Sequence, residues 1–261
     1  MGKINDLDMK NWKNYQDIIS DSLWIINKRD KSGNHRGDYH GNFIPQIPYQ
    51  MMMRYTKSND WILDPFMGSG TTIIEAQKLK RNSIGIDINP EAVDLAASRL
   101  DFEDSNTHFE LLTSDSSSIN LKPYLNKYNI ENVQFVIYHP PYWDIIKFND
   151  CVGNIAQSKT LDDFLKNFEK VFDNTIKYLE NDRYFCIVIG DVYKKGEWIP
   201  LNSYIIQLLL SKGYILKSTI VKNMGETAGK SNQKALWRYR SLANGYYVFA
   251  HEYILVFRKN K

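Results

Sequence analysis

The chain has 261 residues, of which 43% are hydrophobic and 24% charged, with a formal net charge of +3. That is ordinary for one large globular domain or two small ones with a buried core, and no apolar run approaches the ~20 residues of a membrane span. The polar first 13 residues predict no secretory signal. The two cysteines, Cys151 and Cys186, offer neither a disulfide framework nor a metal-ligand spacing. A reducing cytoplasm and no metal are the expectation. The net charge is too small to call for a polyanionic partner, so the placement of charge matters more than its sum.

In chain order, residues 1–60 precede the core and 61–261 form it, within a single expected domain. A polar loop spans 30–38, and a helix is predicted over 47–55, begun near Pro48. Trp61-Ile62-Leu63 reads as a buried strand ending at Asp64, followed by a helix over 71–79 and a strand over 83–87. A second helix runs over 90–100, with Asn89 as N-cap and Pro90 at its first position. Strands follow at 108–112, ending near Asp115, and at 133–138, running into His139. Apolar residues at Leu161, Phe164, Leu165, Phe168, Phe172, Ile176 and Leu179 have helical spacing. A strand at 184–189, a helix at 201–210 closed by Gly213, and strands at 214–221 and 252–257 complete the series. This alternation predicts an α/β fold, a parallel sheet with helices on both faces, in which the last two strands form an antiparallel pair at one edge.

Ligands of such sheets bind at the carboxyl ends of the strands. There lies Asp64-Pro65-Phe66-Met67-Gly68-Ser69-Gly70-Thr71-Thr72. Its glycines let backbone approach a ligand closely, and the free N–H groups of the helix opened by Thr71 can hold a carboxylate. Asp87 and Asp115 close the next two strands. Three acids at adjacent strand ends suit a nucleoside better than a phosphate. The loop lacks the Gly-Lys-Ser/Thr of a triphosphate site and the Gly-x-Gly-x-x-Gly of a dinucleotide site.

The second motif is His139-Pro140-Pro141-Tyr142-Trp143. Together the two loops resemble those of the S-adenosylmethionine-dependent methyltransferases that modify exocyclic amino groups of DNA bases. The resemblance implies a Rossmann-like seven-stranded methyltransferase sheet, mostly parallel with an antiparallel edge strand. It implies S-adenosylmethionine bound by Asp64, Pro65, Phe66, Gly68, Ser69, Gly70, Thr71, Asp87, Asn89 and Asp115. The upstream segment 39–48 resembles the family's part that cups the methionine end of the cofactor, which adds Ile47 and Pro48. His139, Pro140, Pro141 and Tyr142 take the catalytic positions. In the family the first side chain and the carbonyl of the following proline accept hydrogen bonds from the target amine, and the aromatic residue stacks on the flipped base. Adjacent prolines stiffen that turn.

His139 is a departure, since the family usually carries Asp, Asn or Ser there. A neutral imidazole still offers one acceptor nitrogen. Protonation would abolish the acceptor and repel the cationic methyl donor, so activity is expected to fall as pH drops through the ordinary histidine titration near 6.5. Histidine also removes the usual cue to adenine or cytosine.

For nucleic acid, residues 223–247 hold Lys230, Lys234, Arg238 and Arg240, interleaved with Trp237, Tyr239, Tyr246 and Tyr247, with Glu226 as the only acid. Basic residues among aromatics suit a nucleic-acid backbone and unpaired bases. Trp143 is a second wall for the base, residues 144–158 a second recognition candidate, and Lys31, His35 and Arg36 a third. Asp191 reads equally as a pocket-lining acid or a surface-turn acid. The expected partner is double-stranded DNA with base flipping, and a homodimer or a cognate restriction endonuclease is compatible. Two alternatives stay open: an RNA methyltransferase acting on the guanine 2-amino group, and a non-catalytic DNA- or cofactor-binding subunit.

Overall fold

The computed structural model describes residues 3–39, 41–101, 106–144, 151, 153–224 and 234–260. Ten strands are present among them. β1 (Leu23–Trp24), β2 (Trp61–Asp64), β3 (Asn82–Asp87), β4 (Phe109–Thr113), β5 (Val133–Tyr138), β6 (Leu179–Ile189), β9 (Ile215–Asn223) and β10 (His251–Arg258) form one sheet, while β7 (Val192–Lys194) and β8 (Glu197–Ile199) make a separate hairpin. The helices are α1 (Gln46–Tyr55), α2 (Thr71–Lys78), α3 (Pro90–Ala97), α4 (Lys122–Lys127), α5 (Leu161–Ile176), α6 (Leu201–Ser211) and α7 (Lys234–Asn244).

The sheet order is β1-β9-β10-β6-β5-β2-β3-β4. β2 to β6 are mutually parallel, and β10 runs antiparallel to both of its neighbours, β6 and β9. Two expectations are corrected here. The sheet has eight strands rather than seven, because β1 adds in parallel to β9. The antiparallel strand is interior rather than at the edge. Ile254 to Phe257 in β10 are all fully buried, as a strand covered on both faces and paired on both sides requires. β1 is only two residues long, too short for a periodic signal. It is held by the wholly buried Trp24 and by Ile26, whose N–H donates to Asn223 Oδ1 at 2.7 Å.

Strands buried on both faces send alternate residues into two cores. Leu63, Val136, Phe185, Ile187 and Phe257 meet Phe164, Phe168 and Phe172 of α5 and Leu201, Ile205 and Leu209 of α6. Ile62, Phe135, Ile137, Val188 and Ile254 meet Ile47, Met51 and Met52 of α1 and Ala76 of α2. Cys186 lies in this second core, fully buried.

Several ends differ from expectation. α5 stops at Ile176, and Leu179 already begins β6. Val133 pairs with Leu179 while Phe135 pairs with Tyr184, so residues 180–183 bulge from the ladder with Asp182 at φ 60°. That bulge hides the strand's start from a pattern reading. Among the described residues, no helix is long and apolar enough to cross a membrane.

Candidate active site

The carboxyl ends of β2 to β6 open onto a cavity of about 890 Å³. Residues 65–68, 87–89 and 114–116 line one end, residues 139–142 and 190–191 the other, and residues 37–39 and 41–44 close it from the N-terminal side.

The cofactor loop divides into residues that face the cavity and residues that hold the loop. Pro65, Phe66, Gly68 and Thr71 face it, as do Asp87, Asn89 and Asp115. Asp64 does not: it is buried below, and its Oδ1 accepts the Phe66 N–H at 3.0 Å. Burial pushes its carboxyl up to about 7. Ser69 is also buried and donates its hydroxyl to Asn42 Oδ1 at 2.7 Å. Gly70, at φ 83°, serves helix packing, since a Cβ there would sit 2.9 Å from the Ala96 Cβ. Ile47 and Pro48 are displaced from their expected place. α1 begins at Gln46, which buries both, and residues 41–44 reach the cavity instead.

Asp87 accepts the N–H groups of Gly68 and Asn89 at 2.8 and 2.9 Å, while burial raises its pKa. Asn89 caps α3 by accepting the Glu91 N–H at 3.1 Å. Asp115 Oδ1 accepts the Ser117 N–H at 2.8 Å, and Gly153 approaches so closely that a Cβ would stand 3.1 Å from Asp115 Oδ2. Two cavity-lining carboxylates beside apolar Phe66 and Ile88 can accept from the hydroxyl and amino donors of a nucleoside. This pair of acceptors fits S-adenosylmethionine. Tyr39, the first residue of the segment expected to cup the cofactor, packs its ring 3.4 Å from where a Gly68 Cβ would stand.

The catalytic loop leaves β5 after Tyr138. His139 faces the cavity, its ring edge against Phe43 at 4.7 Å between centroids. Burial holds its pKa down to about 4; Glu252 raises it and Lys222 lowers it further. The Tyr142 ring also lines the cavity and lies on Gly190, where a Cβ would come 2.7 Å from Cε2. Its hydroxyl donates to Glu252 Oε2 at 2.8 Å, and Lys222 Nζ donates to Glu252 Oε1 at 2.8 Å. Burial, then Glu252, drive the Tyr142 pKa far up. Lys222, Glu252 and Gly190 were not singled out from sequence. The available signal was an acid opening the otherwise apolar last strand.

Trp143 is a correction. Its φ of 53° turns the chain after Pro141 and drives the indole inward, 6% exposed, where Nε1 donates to Ser158 O at 2.8 Å. The Lys194 ammonium sits 3.7 Å over the ring. Trp143 anchors the loop and is no wall for a base. Phe249 lines the cavity in its stead, packed on Trp198 at 4.2 Å between ring centroids. Asp191 lines the cavity, but its carboxylate is engaged by Trp198 Nε1 at 3.0 Å and Asn202 Nδ2 at 2.8 Å.

Of the nucleic-acid candidates, Arg238, Tyr239 and Arg240 are exposed on α7 and Trp237 is half-buried, with the Arg240 guanidinium 5.4 Å from its ring. Lys234 opens α7, while Lys230 and most of 144–158's first half (145–150 and 152) lie outside the described residues. His35 is buried against Glu75 at 2.6 Å, which removes it from any recognition surface; Lys31 and Arg36 stay exposed.

A doubly covered, mostly parallel sheet, a nucleoside-matching acid pair and a Pro-Pro-aromatic loop in one cavity define a Rossmann-like methyltransferase. Residues 3–98 and 133–261 match the N6/N4 family of DNA methylases, and the chain belongs to that family. S-adenosylmethionine is its cofactor. The chain is similar to the Type II methyltransferase M.MjaII of Methanocaldococcus jannaschii, 39% identical over 208 residues, 77% of this chain and 32% of that one. Similarity to M.Cfr9I of Citrobacter freundii is 36% over 85 residues, 33% of this chain and 27% of the relative. The chain thus spans a third or less of the curated relatives it matches. Among solved structures, an S-adenosylmethionine-dependent methyltransferase from Methanosarcina mazei superimposes with a TM-score of 0.52 at 16% identity, covering 81% of this chain and 98% of that one, which shows the shared fold.

Proposed function

We propose that this chain transfers a methyl group from S-adenosylmethionine to the exocyclic amine of adenine or cytosine in DNA, at a specific sequence, in a cytoplasmic restriction-modification setting. The observation that carries the reading is the placement of His139 and Tyr142 in the same cavity as Asp87 and Asp115. S-adenosylmethionine supplies an electrophilic methyl group when bound. Asp87 and Asp115 would hold its nucleoside, with the backbone at Gly68 and Thr71 lining the same cavity.

The chain's own task is to make a poor nucleophile attack. The lone pair of an aromatic amine is delocalised into the ring. His139, neutral because of its depressed pKa, accepts one amine N–H, and the Pro140 carbonyl accepts the other. Both bonds favour a tetrahedral nitrogen with its lone pair free. Tyr142 holds the flipped base by stacking, worth about 1–3 kcal/mol. The proton that the nitrogen must shed has His139 beside it. Arg238 and Arg240 on α7 take the phosphate backbone. The Type II names of the relatives support the restriction-modification setting, with which a cognate endonuclease and a second copy of the chain are compatible.

Incubation with methyl-labelled S-adenosylmethionine and either unmethylated genomic DNA or total RNA tests this. Label is expected in DNA, and none with His139→Ala. Label confined to RNA would refute the DNA reading, and cofactor binding without transfer to either would leave a non-catalytic subunit.

A further inference from the structure

Lys222 and Glu252 are partners in register across β9 and β10, both buried, 4% and 6% exposed. Desolvating two charges offsets most of their attraction, so such a pair is weak support for stability. What Glu252 does with its two oxygens is more informative. Oε1 accepts from Lys222 and Oε2 accepts from the Tyr142 hydroxyl, each at 2.8 Å.

A tyrosine hydroxyl has one proton, and here it is committed to the carboxylate. The Tyr142 oxygen therefore offers only lone pairs to His139 Nε2, 3.3 Å away. That contact is attractive only if Nε2 carries a hydrogen. A neutral imidazole has a single N–H, so Nδ1 is then bare. Among the described residues Nδ1 has no hydrogen-bond partner, and the ring faces the cavity.

We infer that the buried Lys222–Glu252 pair, acting through the Tyr142 hydroxyl, holds His139 in the Nε2–H tautomer and so turns its Nδ1 lone pair toward the target amine. Lys222 and Glu252 are positioning residues. Lys222 occupies one carboxylate oxygen and leaves the other for the phenol. Without the carboxylate, the phenol proton can turn to Nε2, which moves the imidazole hydrogen to Nδ1. An Nδ1–H would then meet the amine's own N–H groups, donor against donor. The role given to the amine rests on the methyltransferase reading above; the tautomer itself does not.

The test is long-range proton–nitrogen NMR of the full chain labelled with ¹⁵N-histidine, His139 being assigned by the signals lost in His139→Asn. A single Nε2–H tautomer is expected in the wild type. Lys222→Met/Glu252→Leu removes both charges together, leaving no unpaired ion to unfold the protein. It should move His139 toward Nδ1–H and lower kcat by about ten- to a hundredfold with cofactor Kd nearly unchanged. Lys222→Met/Glu252→Gln keeps an acceptor for the phenol and should retain Nε2–H. An Nδ1–H or mixed tautomer in the wild type overturns the inference, as does an unchanged tautomer in Lys222→Met/Glu252→Leu. If the wild type shows Nε2–H but transfers no methyl group to DNA, the reaction proposal fails while the tautomer assignment holds.

Discussion

In the proposed reaction His139 carries most of the chemistry, and its surroundings change what pH should do. The ordinary histidine value is 6.5, and burial brings it down to about 4. The neutral, accepting form therefore persists through pH 5, and the acid limb of kcat should fall near pH 4–5 rather than near 6.5. A pH–rate profile with methyl transfer limiting checks this; half-maximal activity above pH 6 would count against it. The same shift acts on stability. Between pH 6.5 and about 4 the unfolded histidine binds a proton that the folded one refuses, so stability falls as pH drops across that window. Asp64 works in the opposite sense. Its carboxyl, raised from 3.8 to about 7, favours the fold below 3.8, and that contribution is lost as pH rises to about 7. Asp64→Asn should therefore lose less stability between pH 4 and 7 than the wild type, as read by thermal melts across that range. Gly190 is a geometric test of Tyr142. Gly190→Ala sets a methyl group 2.7 Å from the ring, and a displacement near 1 Å at a reacting centre costs about a hundredfold. The expected result is a large loss of kcat with cofactor affinity retained.

Elements differ in how openly their sequence declares them. The loop from Asp64 to Thr71 is readable because its chemistry is local: an acid, two glycines and a helix start within eight positions. Even so, motif reading does not separate residues that line the cavity from residues buried behind it, and Asp64, Ser69 and Gly70 are of the second kind. Trp143 was misassigned because a left-handed φ on a bulky residue reverses the side chain's direction, which no pattern announces. Lys222 and Glu252 were missed because only the β9–β10 register brings them together. α5 is legible from its apolar spacing, and Phe168 and Phe172 are fully buried. Phe172→Ala should cost about 3–5 kcal/mol in denaturant unfolding. α7 is legible as a basic, aromatic surface. Arg238→Ala/Arg240→Ala should weaken DNA binding and reduce the slope of log affinity against log salt by about 2. An unchanged slope would remove α7 from the interface.

At the scale of the whole molecule, alternating buried strands and amphipathic helices made the doubly covered sheet legible, and the resemblance named its class. The interior position of β10 was foreshadowed by its unbroken apolar run, though the pairing that uses it is non-local. β1 was invisible, because two residues hold no period. The sheet's carboxyl edge brings Asp87, Asp115 and the loop of His139 into one cavity, and the function proposed for this cavity is methylation of DNA. It is tested most directly by expressing the chain in a host without DNA adenine or cytosine methylation and reading its genome for modified bases. The expected result is N6-methyladenine or N4-methylcytosine at one recurring sequence, absent with His139→Ala. A genome without either base, from cells holding folded protein that binds S-adenosylmethionine, would contradict it.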